Sequence, residues 1–217
     1  MPAPPFGFSA SAEMFEEPVM TLSQDVFGAT RREHSIPVLE TERLVLRAPR
    51  REDVAAIAGL ANDRRIATNT ARIPHPYGIA DAEQFVATVN KGAGEACFLI
   101  TLDRRPIGAC GIDPREDGPE LGYWLGAAYW GQGLATEAVR ATIDYAFGEL
   151  EYEALQAGAR VSNPASRRVL EKCGFQWTGV RLTRIRAINS AAPTDRFRLD
   201  RGLWASLKAW GRPRRFA

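Results

Sequence analysis

One stretch constrains the fold of this chain more than any other: a strand that leads into a glycine turn and then directly into a helix. Residues 119–127, PELGYWLGA, alternate in the manner of a strand. Gly131 and Gly133 follow one residue apart, and helix-forming sequence begins at Leu134. Such a turn exposes backbone N–H groups at the positive end of a helix dipole, which favours a phosphate. The two glycines are equally consistent with a tight turn alone.

Two common phosphate-binding motifs are excluded at this turn. A Walker loop requires a Lys followed by Ser or Thr after its last glycine, and none is present. A Rossmann fingerprint has a third glycine where this chain has Thr136. It also has an acid at the end of the next strand, where residues 160–162 offer none.

The remaining segments predict an α/β domain whose sheet is mostly antiparallel and contains one β-α-β unit over residues 119–161. Asn163 is a predicted helix N-cap, with Pro164 at the first helical position and Gly174 at the end. Helices are predicted at 50–62, from near Asp81, at 134–150 and at 163–175. Strands are predicted at 38–49, 96–102, 106–112, 119–127, 153–161, 175–182 and 195–204.

Charge and composition exclude several classes of function. The net charge is +2 and the basic residues are scattered, which argues against direct nucleic-acid binding. The three cysteines form no CxxC pair and the two histidines lack a carboxylate pattern, so neither a disulfide framework nor a metal site is predicted. The expected compartment is the reducing cytoplasm.

The chain of 217 residues is predicted to hold one domain with short additions at both ends. Residues 1–36 form an extension that we expect to be partly disordered or packed on the domain or a partner. The domain covers residues 37–210, and a basic tail covers 211–217. We expect no secretory signal and no membrane span, because acids interrupt the first segment and no apolar run is long enough.

The turn resembles a known cofactor loop. YWGQGLATEA is similar to the coenzyme A pyrophosphate loop of the GCN5-related N-acetyltransferases (GNAT), whose pattern is Gln/Arg-x-x-Gly-x-Gly/Ala. Gly133 and Ala135 fill its last two places, and Trp130 stands where Gln or Arg is usual. With Trp130 in this place the loop resembles that of the RimJ/RimL-type branch, the ribosomal-protein N-terminal acetyltransferases, in which Trp-Gly-x-Gly is frequent.

Four further stretches carry the same resemblance in the right order, over roughly residues 38–205. They are LETERLVLRAPRREDV, IPHPYGIADAEQFV, GPELGYWL and NPASRRVLEKCGFQWTG. The resemblance implies the GNAT fold: a mixed, mostly antiparallel sheet with flanking helices, whose central parallel strands, 119–127 and 154–161, splay apart. Pantetheine would lie in the gap, and acetyl-CoA would be the co-substrate.

The resemblance also implies which residues contact the cofactor. Backbone amides from Gln132 to Thr136 would hold the phosphates, and the backbone of Trp124 to Gly126 would bind pantetheine like an added strand. Trp130 would either flank the cofactor or pack under the turn. The full implied set is Trp124, Leu125, Gly126, Trp130, Gly131, Gln132, Gly133, Leu134, Ala135, Thr136, Asn163 and Ser166.

Catalytic candidates follow from the same resemblance. Glu120 would accept the amine proton through a water, or would instead be a structural carboxylate paired with a surface arginine. Ser166 would protonate the leaving thiolate, while Asn163 both caps its helix and bonds pantetheine. Tyr123 and Tyr129 are further candidates for the acid.

The acceptor side is expected along residues 69–77, where Asn69, His75 and Tyr77 are candidate contacts. The predicted reaction is acetyl transfer to a primary amine in a ternary complex, with a protein or peptide N-terminal α-amine as acceptor. Two alternatives stay open: acetylation of a small-molecule amine, such as an amino acid, polyamine or antibiotic, and a non-catalytic coenzyme A-binding module. We expect a monomer or homodimer.

Overall fold

The computed structural model describes residues 36–92 and 96–210. The described residues belong to one compact unit. The extension predicted over 1–36 lies almost wholly outside the described residues, and the basic tail at 211–217 lies outside them as well.

Within the described ranges the chain forms a mixed sheet and six α-helices. The strands are β1 (Leu39–Glu40), β2 (Leu44–Arg47), β3 (Ala96–Leu102), β4 (Arg105–Asp113), β5 (Glu120–Leu125), β6 (Ala154–Arg160), β7 (Gln176–Ile185) and β8 (Ser190–Asp200). The helices are α1 (Val54–Ala61), α2 (Arg64–Ala67), α3 (Ile79–Asn90), α4 (Leu134–Gly148), α5 (Pro164–Lys172) and α6 (Arg201–Trp210).

The strands lie in the order β1-β2-β3-β4-β5-β6-β8-β7, and every neighbouring pair is antiparallel except β5 and β6. This confirms the predicted fold class, a mostly antiparallel sheet with one central parallel pair. Helix α4 is the crossover between the two parallel strands, so the turn that begins it lies at the carboxyl end of β5.

Helices cover both faces of the sheet. On one face α4 buries an apolar stripe that includes Val139, Ile143 and Phe147, as its sequence predicts. On the other face α1 and α3 enclose a second core cluster that Trp124 packs against. β5 therefore divides its side chains between the two faces, with Leu121 and Leu125 in the main core and Trp124 on the opposite side.

Two predicted strands are wrong in part. The strand predicted over 38–49 is two short strands, because Thr41 donates its N–H to the Leu44 carbonyl at 2.9 Å and turns the chain. The strand predicted at 195–204 begins earlier, at Ser190, and ends at Asp200. Helix α6 follows at once, because its Trp204 is buried against the core and donates its indole N–H to Asp144 at 2.9 Å.

Candidate functional site

The parallel strands β5 and β6 separate soon after they meet. They pair only at Glu120 with Gln156 and at Leu121 with Ala157. Beyond this point β5 stays paired to β4 as far as Leu125, while β6 stays paired to β8 as far as Arg160. The strands therefore bound an open gap, as the predicted splay requires.

The backbone of β5 offers free hydrogen-bonding groups to this gap. Gly126 donates its N–H to the Ile107 carbonyl of β4 at 2.8 Å. Because successive residues of a strand direct their backbone groups to opposite edges, those of Leu125 and Tyr123 point away from β4 and into the gap. The Leu125 carbonyl accepts the indole N–H of Trp130 at 2.8 Å. The Leu125 N–H and the Tyr123 backbone remain for a ligand.

Of the three residues expected to bind pantetheine through their backbone, Gly126 and Trp124 do not direct free backbone groups into the gap. Its N–H is bonded to β4 and its carbonyl accepts the Tyr129 N–H at 2.9 Å. The Trp124 backbone faces β4 by the same alternation, and its side chain packs on the α1–α3 side. The edge that faces the gap is thus built by Leu125 and Tyr123.

The glycine turn has the conformation that the sequence predicts. Gly131 and Gly133 have φ of 76° and 79°, a region that L side chains rarely adopt. A Cβ on Gly131 would meet no described atom within 4 Å, so protein packing does not demand a glycine there. The positive φ explains both glycines; the space at Gly131 is open, while a Cβ on Gly133 would lie 3.5 Å from the Arg43 guanidinium.

Helix α4 begins immediately after this turn, with Gly133 as its N-cap. The first N–H groups of a helix have no partner within it, and the helix dipole adds partial positive charge. Gln132, Ala135 and Thr136 are exposed or half-buried here. The Leu134 side chain is buried, so its contribution is its backbone N–H. This arrangement fits an anionic group such as a pyrophosphate.

A side-chain cluster that the sequence prediction missed fastens this turn to the start of the sheet. The Arg43 guanidinium donates a hydrogen bond to the Gln132 carbonyl at 3.0 Å. It also donates from Nε to the Glu137 carboxylate at 2.7 Å and forms an ion pair with it through Nη2 at 2.6 Å. Thr41 donates its hydroxyl to Glu137 at 2.6 Å. Burial raises the pKa of Glu137, but the hydrogen bonds from Thr41 and Arg43 outweigh it and leave that pKa lowered. We call Thr41, Arg43 and Glu137 the turn clamp.

An open groove of about 890 Å³ runs from the glycine turn along α4, between that helix and the β1–β2 segment. Its lining mixes both charges: the cations Arg43, Arg140 and Lys172, and the carboxylates Glu40, Glu42, Glu137, Asp144 and Glu149. The groove includes Gly133 and Thr136 in its lining and so adjoins the start of α4.

Trp130 is bonded to the protein but is not buried. Its indole N–H is bonded to the end of β5, which fixes the ring beside the gap. The side chain is nevertheless 45% exposed, and the Arg65 guanidinium lies 5.4 Å from the ring centroid. The ring is therefore anchored to β5 while part of its surface stays exposed.

Two of the catalytic candidates are brought together across the gap. The Tyr123 hydroxyl lies 2.9 Å from the Ser166 hydroxyl. Asn163 caps α5 by accepting the Ser166 N–H at 3.2 Å, as predicted, and this bond places Ser166 in the first turn of the helix. Burial raises the pKa of Tyr123, so its hydroxyl keeps its proton at neutral pH. Tyr129, the other tyrosine considered, packs beside the main core, as Tyr123 also does.

Glu120 lies among arginines. Its Oε1 accepts the Arg196 Nη1 at 2.6 Å, and the Arg196 side chain is 10% exposed. Its Oε2 lies 3.6 Å from Arg115 and 4.0 Å from Arg181. The carboxylate thus has the ion pairs of the structural alternative, and its side chain is 19% exposed.

The acceptor-side candidates do not form one cluster. Tyr77 is buried in the core between α1 and α3, which raises its pKa to about 12, and its N–H is bonded to Asn62. Asn69 donates its amide to the Arg65 carbonyl at 2.8 Å, and His75 is exposed. A residue that the prediction did not include, Arg160, reaches this side from the end of β6 and bonds the Thr68 carbonyl at 2.6 Å.

Two further observations concern the described residues. They contain no group of three or more His, Cys, Asp or Glu side chains arranged to hold a metal ion. None of the helices described is long and apolar enough to cross a membrane.

Comparison with known proteins agrees with this architecture. The family model of the acetyltransferase (GNAT) domain matches residues 43–176. Protein YkkB of Bacillus subtilis is 34% identical over 154 residues, covering 64% of this chain and 86% of YkkB. The ribosomal-protein-serine acetyltransferase of Escherichia coli is 34% identical over 81 residues, covering 36% of this chain and 45% of that protein.

A solved structure shows the same fold. RimJ of Mycobacterium smegmatis, solved in complex with CoA-disulfide, superposes with a TM-score of 0.68 at 19% identity, covering 83% of this chain and 96% of that one. The family match includes β5, the glycine turn, α4 and α5, which are the elements that build the site. The chain therefore belongs to the GNAT family of N-acetyltransferases.

Proposed function

We propose that this chain transfers the acetyl group of acetyl-CoA to a primary amine by direct attack in a ternary complex. The observation that carries the proposal is the gap between β5 and β6, which opens onto the anion site at the start of α4. Backbone amides of Gln132 to Thr136 would hold the pyrophosphate. The free edge of β5 at Tyr123 and Leu125 would bind pantetheine in the manner of an added strand.

The proton transfers fall to residues on the two sides of the gap. Acetyl-CoA supplies an activated thioester, whose C–S bond breaks as the amine forms a C–N bond. Tyr123 and Ser166 share a hydrogen bond, so either hydroxyl donates a proton to the departing thiolate. Glu120 Oε2 takes the amine proton through a water. A terminal α-amine has a pKa of about 8, so part of it is neutral without this help.

For the acceptor, we propose the N-terminal α-amine of a protein or peptide. The proposal is supported by the similarity to the E. coli ribosomal-protein-serine acetyltransferase. A monomer or homodimer and a cytoplasmic location remain predictions from the sequence.

The test is release of free thiol from acetyl-CoA in the presence of an amine panel. The panel contains peptide N-termini, free amino acids, polyamines and aminoglycosides. We expect thiol release that depends on the amine, with peptides as the best substrates. If a small amine is the best substrate, the peptide acceptor is wrong and the transferase remains. If acetyl-CoA raises the melting temperature but no amine releases thiol, the chain is a coenzyme A-binding module instead.

A further inference from the structure

The guanidinium of Arg160 lacks an anionic partner in a place where one is expected. Arg160 ends β6, and its Nη1 bonds the Thr68 carbonyl at 2.6 Å. Its Nε is buried and has no hydrogen-bond partner. Within residues 36–92 and 96–210, no carboxylate pairs with this guanidinium. A partly buried charge without a counterion costs considerable free energy, so such groups are normally paired.

The nearby arginines differ from Arg160 in this respect. Arg196, on the neighbouring strand, is paired with Glu120, and Arg72 is paired with Asp113 at 3.1 Å. The chain therefore supplies carboxylates to other guanidinium groups on this side of the sheet.

Arg160 also lies where an acceptor must enter. In β6 the buried Leu155, Ala157 and Ala159 face the main core, so Arg160 points to the opposite face of the sheet. The register of Glu120 with Gln156 and Leu121 with Ala157, if continued along both strands, would pair Trp124 with Arg160. Both side chains lie on the same face of the sheet. Arg160 is thus at the open end of the gap, bonded to Thr68, which directly precedes the segment 69–77 that the sequence predicts on the acceptor side.

No described side chain covers the sheet at Gly122, between these residues. Gly122 of β5 lies on the same face as Trp124 and is exposed, and a Cβ there would meet no described atom within 4 Å. An amine approaching over Gly122 would reach the gap with Arg160 beside it.

We infer that Arg160 binds a carboxylate of the acetyl acceptor, and hence that the acceptor is an amine carrying a carboxylate. This inference rests on the proposed function and names its substrate class. A guanidinium is suited to the task because its fixed, planar donors match a carboxylate. The carboxylate is either the α-carboxylate of a free amino acid or an acidic side chain near a peptide N-terminus.

The experiment compares acceptors in which a carboxylate is replaced by a neutral amide, with kcat/KM expressed per concentration of neutral amine, because loss of an α-carboxylate also lowers the pKa of the neighbouring amine. One pair is serine and serinamide, and the other is a Ser-Glu peptide and the matching Ser-Gln peptide, with kcat/KM measured by thiol release. We expect the parent protein to prefer the carboxylate member of one pair by about tenfold to a hundredfold, the range for a hydrogen bond to a charged group. The pair that responds identifies the source of the carboxylate.

Variants then assign the preference to Arg160. Arg160→Gln should abolish the preference and Arg160→Lys should keep part of it. Arg105→Gln, at an exposed position at the start of β4, should leave it unchanged. Equal kcat/KM for both members of each pair in the parent would overturn the inference while leaving the transferase intact. An equal loss of activity on both members in Arg160→Gln would also overturn it. That result is expected if Arg160 only holds the end of α2 in place through Thr68. Absence of thiol release with every amine would overturn the inference and the proposed function together.

Discussion

Tyr123 and Ser166 present two hydroxyls 2.9 Å apart at the mouth of the gap, and only one proton has to be delivered to the thiolate. Because they share a hydrogen bond, either can be the direct donor while the other supports it. Removal of one therefore disturbs both, and the two substitutions are expected to act as one unit rather than independently.

We expect Tyr123→Phe and Ser166→Ala each to lower kcat by about 10²-fold or more, the usual contribution of a general acid. Affinity for acetyl-CoA should change little, because the backbone of β5 and the start of α4 are unaffected. The double variant should be no slower than the slower single variant. Steady-state kinetics and calorimetric titration with coenzyme A measure both quantities.

Ser206→Ala, exposed on α6, is the matched control and should behave like the parent. Unchanged kcat in both single variants would remove this pair from the mechanism.

Glu120 is a candidate both for the general base and for a purely structural ion pair. The pH dependence of activity distinguishes these two roles. Glu120→Gln leaves the buried Arg196 without its closest partner, so we expect a lower melting temperature whichever role applies. Stability alone therefore cannot separate the roles. If Glu120 accepts the amine proton, the variant should lose most activity below about pH 8, where a terminal α-amine is largely protonated.

The measurement is kcat/KM for parent and Glu120→Gln across the pKa of the acceptor. A deficit that shrinks as pH rises supports the base, because glutamine cannot accept the proton but the amine then loses it unaided. Parallel profiles for the two proteins would assign Glu120 to the ion-pair network only.

At the scale of elements, the turn clamp joins the first strands to the helix that begins the anion site. Arg43 reaches Gln132 and Glu137 over 89 and 94 residues of sequence. The lowered pKa of Glu137 means that this carboxylate stays charged well into acid. Its contribution to stability is present above the unfolded pKa and is lost as pH falls through the folded one, so the clamp is intact at neutral pH.

We expect Arg43→Ala and Glu137→Gln to raise the KM for acetyl-CoA by about tenfold, since each leaves the turn that meets the phosphates less fixed. The same variants should change the KM for S-acetyl-pantetheine, which lacks the pyrophosphate, far less. Glu83→Gln, exposed on α3, serves as the control. An equal loss with both donors would show that the clamp supports the whole domain rather than the phosphate contact.

Sequence predicts the elements that are determined locally. The Asn163 cap, the helix predicted at 134–150 and the glycine turn each follow from neighbouring residues, and each is confirmed. Helix α6 was predicted as part of a strand because its identity depends on Trp204 packing against α4. Arg43 and Arg160 escaped prediction for the same reason: their partners lie 94 and 92 residues away, and no local pattern marks such contacts.

At the scale of the whole molecule, the short parallel pair of β5 and β6 joins the two halves of the sheet. One half comprises β1 to β5 and the other comprises β6 to β8, and only two residue pairs link them directly. Helix α4 bridges the halves from one face. A ligand in the gap would add hydrogen bonds along both open edges, so its binding should stabilise the sheet as a unit rather than one loop.

We therefore expect acetyl-CoA at about 100 times its Kd to raise the melting temperature by roughly 5 to 10 °C, from about 2.7 kcal/mol of linkage. Amide exchange should slow at 122–125 of β5, as well as in the glycine turn.

Gly133→Val should abolish the rise in melting temperature with acetyl-CoA, because a branched side chain strains the positive φ and occupies the space where the phosphates approach. Gly92→Val is the matched control: Gly92 has φ of 65° and open space around it, at the end of α3. It should lower the melting temperature by similar strain yet keep the full shift with acetyl-CoA. If both variants keep the shift, or both lose it, the phosphate site is not at this turn.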